Sequence, residues 1–197
     1  MKIILLASKG AGVGKTTTAR EIAKKNPNTL VLGIAEAMRF HLNLIAKELE
    51  PSFDFFTAYT QSKNKPLSSE TNVFKDVVLR DWLNVYSNAM QVTFGKTFPV
   101  VSWKARVDVL YKEQDVQCIV IDDWRRTVES NWIVETFGKD NVLTVYLSKP
   151  DVIQPVFNTI SQALEGQIDP EECDIVFDFE PEWSNLNQLV EMLKLNL

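Results

Sequence analysis

The stretch SKGAGVGKTTTA, residues 8–19, decides the fold. Three glycines, Gly10, Gly12 and Gly14, alternate with other residues and run straight into Lys15-Thr16-Thr17. Glycine permits backbone turns that other residues resist, so such a stretch can curl its N–H groups inward around an anion. The pattern for such a cradle is G-x-x-x-x-G-K-[ST]. Counting back from Gly14 puts Lys9 where the first glycine belongs, and Gly10, one residue on, is expected to supply the missing freedom.

The flanks agree with the loop. KIILLA before it (residues 2–7) is a continuous apolar run, which suits a strand buried on both faces of a parallel sheet. KTTTAREIAKK after it (residues 15–25) has helical apolar spacing and stops at Asn26-Pro27. Strand, glycine-rich loop and helix N-terminus in that order form an anion site. Residues Gly10 to Thr17, including Ala11 and Val13, are therefore assigned to ATP phosphates. Lys15 reaches the outer phosphates and Thr16 holds Mg2+.

Further along, apolar runs and helical spacing alternate. NTLVLGIA, QCIVIDDW, NVLTVYL and CDIVFDF read as four more strands. EAMRFHLNLIAKELE, TVESNWIVETFG and the terminal EWSNLNQLVEMLKLNL read as helices. PDVIQPVFNTISQALEG reads as a partly helical excursion broken by Pro155. Between them, residues 52–116 are rich in aromatics and helical spacing, with one long helix over TNVFKDVVLRDWLNVYSNAMQ and another over SWKARVDVLYKEQ. The expectation is an α/β fold: a doubly wound, mainly parallel sheet of about five strands in one domain over 1–197, with a helical insertion at 52–116.

The chain of 197 residues carries a net charge of −5, which argues against a broad electrostatic grip on nucleic acid. The apolar run near the N-terminus is too short for a signal peptide, and no run approaches membrane-spanning length. Cys118 and Cys173 lie apart in apolar runs, and His41 is the single histidine, so a zinc cluster of His and Cys cannot be built. Together these point to a cytoplasmic protein with small-molecule partners and no membrane; a homodimer is allowed.

The third strand ends IVIDDWRRTVE. Acids at the carboxyl end of a parallel strand stand where open α/β sheets bind ligands, so Asp122 or Asp123 can hold Mg2+. Arg125 and Arg126 follow at a helix start, where their charge opposes the helix dipole and so suits a phosphoryl group better than a structural cap.

Here the chain resembles a family. D-x-R-R-x-x-E (Asp123, Arg125, Arg126, Glu129), followed by helix and strand, is similar to a segment of bacteriophage deoxynucleoside monophosphate kinases, and a similar segment occurs in animal-type phosphomevalonate kinases. AEAMRFHL resembles the family's A-x-P-[IL]-K segment, with Arg39 at the lysine position. Met90, Gln91, Gly95 and Trp103 resemble M-Q-x-L-G-T-D and its downstream tryptophan, and VYLSKP resembles V-x-R-P with Lys149 for the arginine. The loop here is G-K-T where that family usually has G-K-D, and Ser87 and Asn88 stand where it has an arginine.

The resemblance implies a P-loop NTPase fold and an ATP- and Mg2+-dependent kinase of nucleoside or deoxynucleoside monophosphates. Lys15, Asp123, Arg125 and Arg126 would be catalytic, Thr16 and Asp123 would hold the metal, and Arg39, Trp103 and Lys149 would bind substrate. Trp82, Tyr86, Phe94 or Trp103 would stack the acceptor base, although aromatics at helical spacing more often form core. Three alternatives stay open. One is a kinase of another acceptor, phosphomevalonate-like or dephospho-coenzyme-A-like. Another is an ATPase switch resembling ParA-type partition proteins, whose signature lysine lies one residue later than Lys9. The third is an inactive nucleotide-binding relative.

Overall fold

A computed structural model describes residues 1–10, 12–67, 73–150 and 168–194. The chain forms two compact units, Met1–Ile34 with Val107–Leu197, and Ala35–Arg106. The first contains every strand among the described residues and is the sheet unit; the second is helical.

In the sheet unit the strands are β1 (Lys2–Ser8), β2 (Thr29–Val31), β3 (Cys118–Ile121), β4 (Val142–Ser148) and β5 (Ile175–Asp178). They form one sheet in the order β2-β3-β1-β4-β5. All four pairings are parallel. The expected doubly wound α/β sheet of five strands is therefore present. β1 is central because it is apolar throughout: Ile3 to Leu6 are all buried, on alternating faces, as a strand covered on both sides requires.

Helix α1 (Lys15–Lys25) and helix α7 (Leu186–Lys194) cover one of those faces. Ala19 and Ile22 of α1 and Leu189, Val190 and Leu193 of α7 pack with Ile4, Leu6, Val120, Val145 and Leu147 of the sheet. Each such aliphatic side chain contributes about 1.5–3 kcal/mol when buried. Helix α6 (Thr127–Phe137) packs on β4 and stops at Gly138, whose φ of +84° only glycine adopts cheaply. At the far end of the sheet, the Asp174 carboxylate accepts from Thr144 N (2.8 Å) and Thr144 Oγ1 (2.7 Å) and pairs with Lys139, which joins the start of β5 to β4.

The strand registers align the carboxyl ends. Leu5 lies opposite Ile121, Ser8 opposite Leu147, and Ser148 opposite Asp178. The loop after β1, the acids after β3, Lys149 after β4 and the turn after β5 thus gather along one edge.

In the helical unit, helix α2 (Ile34–Leu49) and helix α3 (Phe55–Ser62) precede helix α4 (Leu79–Phe94) and helix α5 (Phe98–Glu113). The long helix expected over 71–91 begins only at Leu79. Its first residues are spent otherwise. Asp76 takes a left-handed φ of +64°, Val78 bridges Pro66, and Phe74 is buried against Phe53 and Trp82. The excursion expected after Pro150 lies outside the described residues.

Candidate nucleotide site

The loop between β1 and α1 has its left-handed turns at Gly12 (φ +83°) and Gly14 (φ +104°), while Gly10 has none. The missing first glycine is therefore not replaced by Gly10. Instead Gly10 offers its carbonyl, which accepts from Ser8 Oγ at 2.7 Å and from Lys15 Nζ at 3.2 Å. Lys15 Nζ also donates to Ser8 Oγ at 2.5 Å, so the lysine curls back along its own loop. Val13 points into the core beneath and anchors the loop. Gly14 caps α1 without any side-chain hydrogen bond, and the first turn carries no acid, which leaves the positive helix end suited to an anion. Lys9 is exposed and, with Val13 and residues 146–150, lines a cavity of about 360 Å3. Thr17 is exposed, and Ala11 lies outside the described residues.

Beside the loop, Thr16 Oγ1 donates to Asp122 Oδ2 at 2.7 Å. A hydroxyl and a carboxylate oxygen at that separation, next to a phosphate cradle, are the oxygen ligands Mg2+ takes. The sequence reading expects the metal at Asp123, whereas Asp122 is the acid that bonds Thr16. The Asp123 carboxylate accepts from the backbone N–H of Ile34 at 2.6 Å, which locks the connection from β2 into α2. Gly33 is required there, because a Cβ would fall 2.6 Å from Asp123 Oδ2. Consecutive residues leaving a strand tend to face opposite ways, and the two acids here bond different partners.

The two arginines divide in the same way. Glu129, only 4% exposed, accepts at Oε2 from the backbone N–H groups of Arg125 (3.3 Å) and Arg126 (3.2 Å). At Oε1 it accepts from Arg126 Nε (2.9 Å) and Nη2 (2.5 Å). Burial pushes the Glu129 carboxyl above its usual range, and the Arg126 guanidinium opposes that shift. Arg126 thus ties the start of α6 through Glu129, where the sequence reading expects it to clamp phosphate. Trp124, buried beside it, donates from Nε1 to Arg126 O at 3.0 Å. Arg125 is half-buried, and its side chain remains the candidate for a phosphoryl group.

Lys149 Nζ lies 4.4 Å from the centroid of the Trp183 ring, a cation–π contact. Trp183 belongs to the short 3-10 turn Pro181–Trp183 between β5 and α7, and its indole lies against Gly14. Nothing in the sequence pattern singled out Trp183. The signal available was only an aromatic in the turn after the last strand, and such turns are common.

Two expected substrate residues lie in the helical unit. Arg39 donates to Glu36 at 2.8 Å and stacks over the Tyr59 ring at 5.1 Å, with its Nε buried and without a hydrogen-bond partner among the described residues. Trp103 is 0% exposed and cannot stack a base. With Val100 and Val107 it forms the buried stripe of α5, at i, i+3 and i+7 spacing. Of the other aromatics, Trp82 stacks on Phe74, Tyr86 pairs with His41 at 3.2 Å, and the exposed Phe94 stacks on Phe98.

No protein-family model matches the sequence, and no curated protein matches it. Among solved structures, a sugar kinase from Janibacter sp. HTCC2649 is similar at 19% identity and a TM-score of 0.44, over 98% of this chain and 92% of that one. A dephospho-CoA kinase from Campylobacter jejuni is similar at 16% identity and a TM-score of 0.46, over 99% of this chain and 96% of that one. No helix among the described residues is long and apolar enough to cross a membrane.

Proposed function

We propose that the sheet unit binds ATP with Mg2+ on the loop from Ser8 to Thr17 and that the protein transfers the γ-phosphoryl group to a small phosphorylated acceptor. A nucleoside or deoxynucleoside monophosphate is the acceptor of choice. The observation that carries the reading is the Thr16–Asp122 hydrogen bond set beside Lys15 on a glycine-turned loop. The acceptor class rests on the resemblance of the Asp123–Glu129 segment alone.

Phosphoryl transfer asks a protein for positioning and charge, with little covalent chemistry of its own. Lys15 exchanges Ser8 Oγ and the Gly10 carbonyl for phosphate oxygens, which are stronger partners for an ammonium group. Thr16 and Asp122 would hold Mg2+, which when bound would neutralise charge on the outer phosphates. Arg125 faces the charge that develops on the transferring group. Arg126 and Glu129 keep the Arg125 backbone in place, and Asp123 fixes the start of α2. The bond from the γ-phosphorus to the ADP oxygen breaks as one to an acceptor phosphate oxygen forms, so the products are ADP and a diphosphate.

An acceptor screen with ATP tests this. ADP formation that depends on a nucleoside monophosphate supports the reading, and dependence on another phosphorylated acceptor corrects the acceptor alone. Slow ADP formation without any acceptor would favour a nucleotide switch, and binding without turnover would mark an inactive relative.

A further inference from the structure

The turn from Pro181 to Trp183 carries features that packing alone does not call for. Glu182 and Trp183 both sit at a φ of +56°, where non-glycine residues are strained and a bulky one is rare. The Trp183 Nε1 atom is buried and has no hydrogen-bond partner among the described residues. Such an orphaned donor is costly. The same indole edge lies over Gly14 of the loop: even a Cβ there would be in ordinary van der Waals contact, 3.4 Å from Nε1 and 3.5 Å from Cε2. The ring is held by apolar packing in the sheet-unit core and by the ammonium group of Lys149 on its face.

These observations describe a turn that costs energy in its backbone and its indole N–H and that rests on the residue which must frame a bound phosphate. Strain persists where the surroundings over-determine it, and ligand sites are where it collects. One of the two restraints on the ring is the Lys149 ammonium group. A polyphosphate on the loop competes for Lys149, because an ammonium group prefers a phosphate oxygen to an aromatic face. Once Lys149 leaves, the ring loses its charged partner while the strain and the orphaned N–H still favour departure.

We propose that the Pro181–Trp183 turn is a latch on the phosphate loop, released when a nucleoside polyphosphate draws Lys149 off the Trp183 ring. The latch rests on the nucleotide reading of the loop. It makes nucleotide affinity depend on a turn that touches no phosphate in the resting state. By linkage, whatever stabilises the resting turn weakens nucleotide binding, and whatever removes the ring strengthens it.

The test uses the full chain labelled with 5-fluorotryptophan, which reports each of its five tryptophans by fluorine NMR. The Trp183 resonance is identified by its loss in Trp183→Phe. ADP with Mg2+ is titrated while calorimetry records binding independently. The expected result is a shift of the Trp183 resonance that follows the heat of binding. Glu182→Gly, which suits the left-handed backbone of the resting turn, is expected to bind ADP about two- to fivefold more weakly. Trp183→Ala is expected to bind it more tightly. Because Trp183→Ala also removes core packing, the surface variant Glu182→Gly carries the decision. Binding heat without a shift at Trp183, or tighter binding by Glu182→Gly, overturns the latch and leaves the loop reading intact. Absence of binding heat in the unmodified protein overturns both.

Discussion

The sheet unit and the helical unit are both rich in polar and aromatic side chains, but they use them in opposite ways. In the sheet unit the polar groups collect where strands end, and several bond to one another: Lys15 to Ser8, Thr16 to Asp122. Such pairs exchange readily for a charged ligand. In the helical unit the aromatics are spent on each other. Phe53, Phe74, Trp82, Phe55 and Tyr59 form a continuous run of ring contacts. A polar residue beside a strand end is thus better evidence of chemistry than an aromatic at helical spacing, which packs for the same reason that it is spaced.

The sharpest way to break this contrast is Lys15→Ala. Loss of a charge aimed at the outer phosphates is expected to cost about 10³-fold in kcat or more with the circular dichroism spectrum unchanged. Turnover within a few fold of the unmodified protein would remove the phosphate loop from the argument. In the helical unit the counterpart is Trp103→Ala. It is expected to lower stability by about 3–5 kcal/mol in chemical denaturation, the cost of emptying a packed site of that size. If stability holds and the Michaelis constant for the acceptor rises instead, Trp103 binds substrate after all.

The arginines sharpen the contrast inside the sheet unit. Arg126→Ala leaves the buried Glu129 carboxylate without its guanidinium and should cost about 3 kcal/mol of stability. Arg125→Ala should lower kcat more than it raises the Michaelis constant for ATP. Reversed outcomes would mean that the tie and the clamp have been exchanged. The neighbouring acids are separable too. Asp122→Asn should raise the Mg2+ concentration needed for half-maximal rate about tenfold or more, while Asp123→Asn should lower stability by about 1–3 kcal/mol through the weakened bond to Ile34 N.

The smallest effect is a pH dependence in the helical unit. Burial lowers the pKa of His41 from its ordinary value of 6.5, so folding favours the neutral ring. Below that value the unfolded chain binds the proton more readily than the folded one, and stability falls as pH drops through 6.5 toward the lowered folded value. His41→Gln should flatten the melting temperature between pH 7.5 and 5.5, while a slope that survives in the variant would assign it to other groups.

How much could be read in advance differs between the units for the same reason. The strand–loop–helix around Gly14 was legible because glycine spacing and a continuous apolar run act over a few residues. The placement of Arg39 over Tyr59 was not, because Tyr59 lies twenty residues on, in another helix. The helix before Leu79 was misread because its apolar spacing continues backward through Phe74, whose ring is drawn to Phe53 and Trp82 instead.

By itself the sequence determined the glycine-turned loop, the alternation of buried strands with helices, and the edge at which acids and arginines would gather. Those features follow from backbone freedom and apolar periodicity, which are local. Only the tertiary structure decided which of two adjacent acids meets Thr16, which of two adjacent arginines is consumed by Glu129, and that Trp183 comes to rest on Gly14. Neighbouring residues leaving a strand face opposite sides, so one residue of register changes every partner. A contact across 169 positions of chain, from Gly14 to Trp183, depends on the packing of the whole sheet unit.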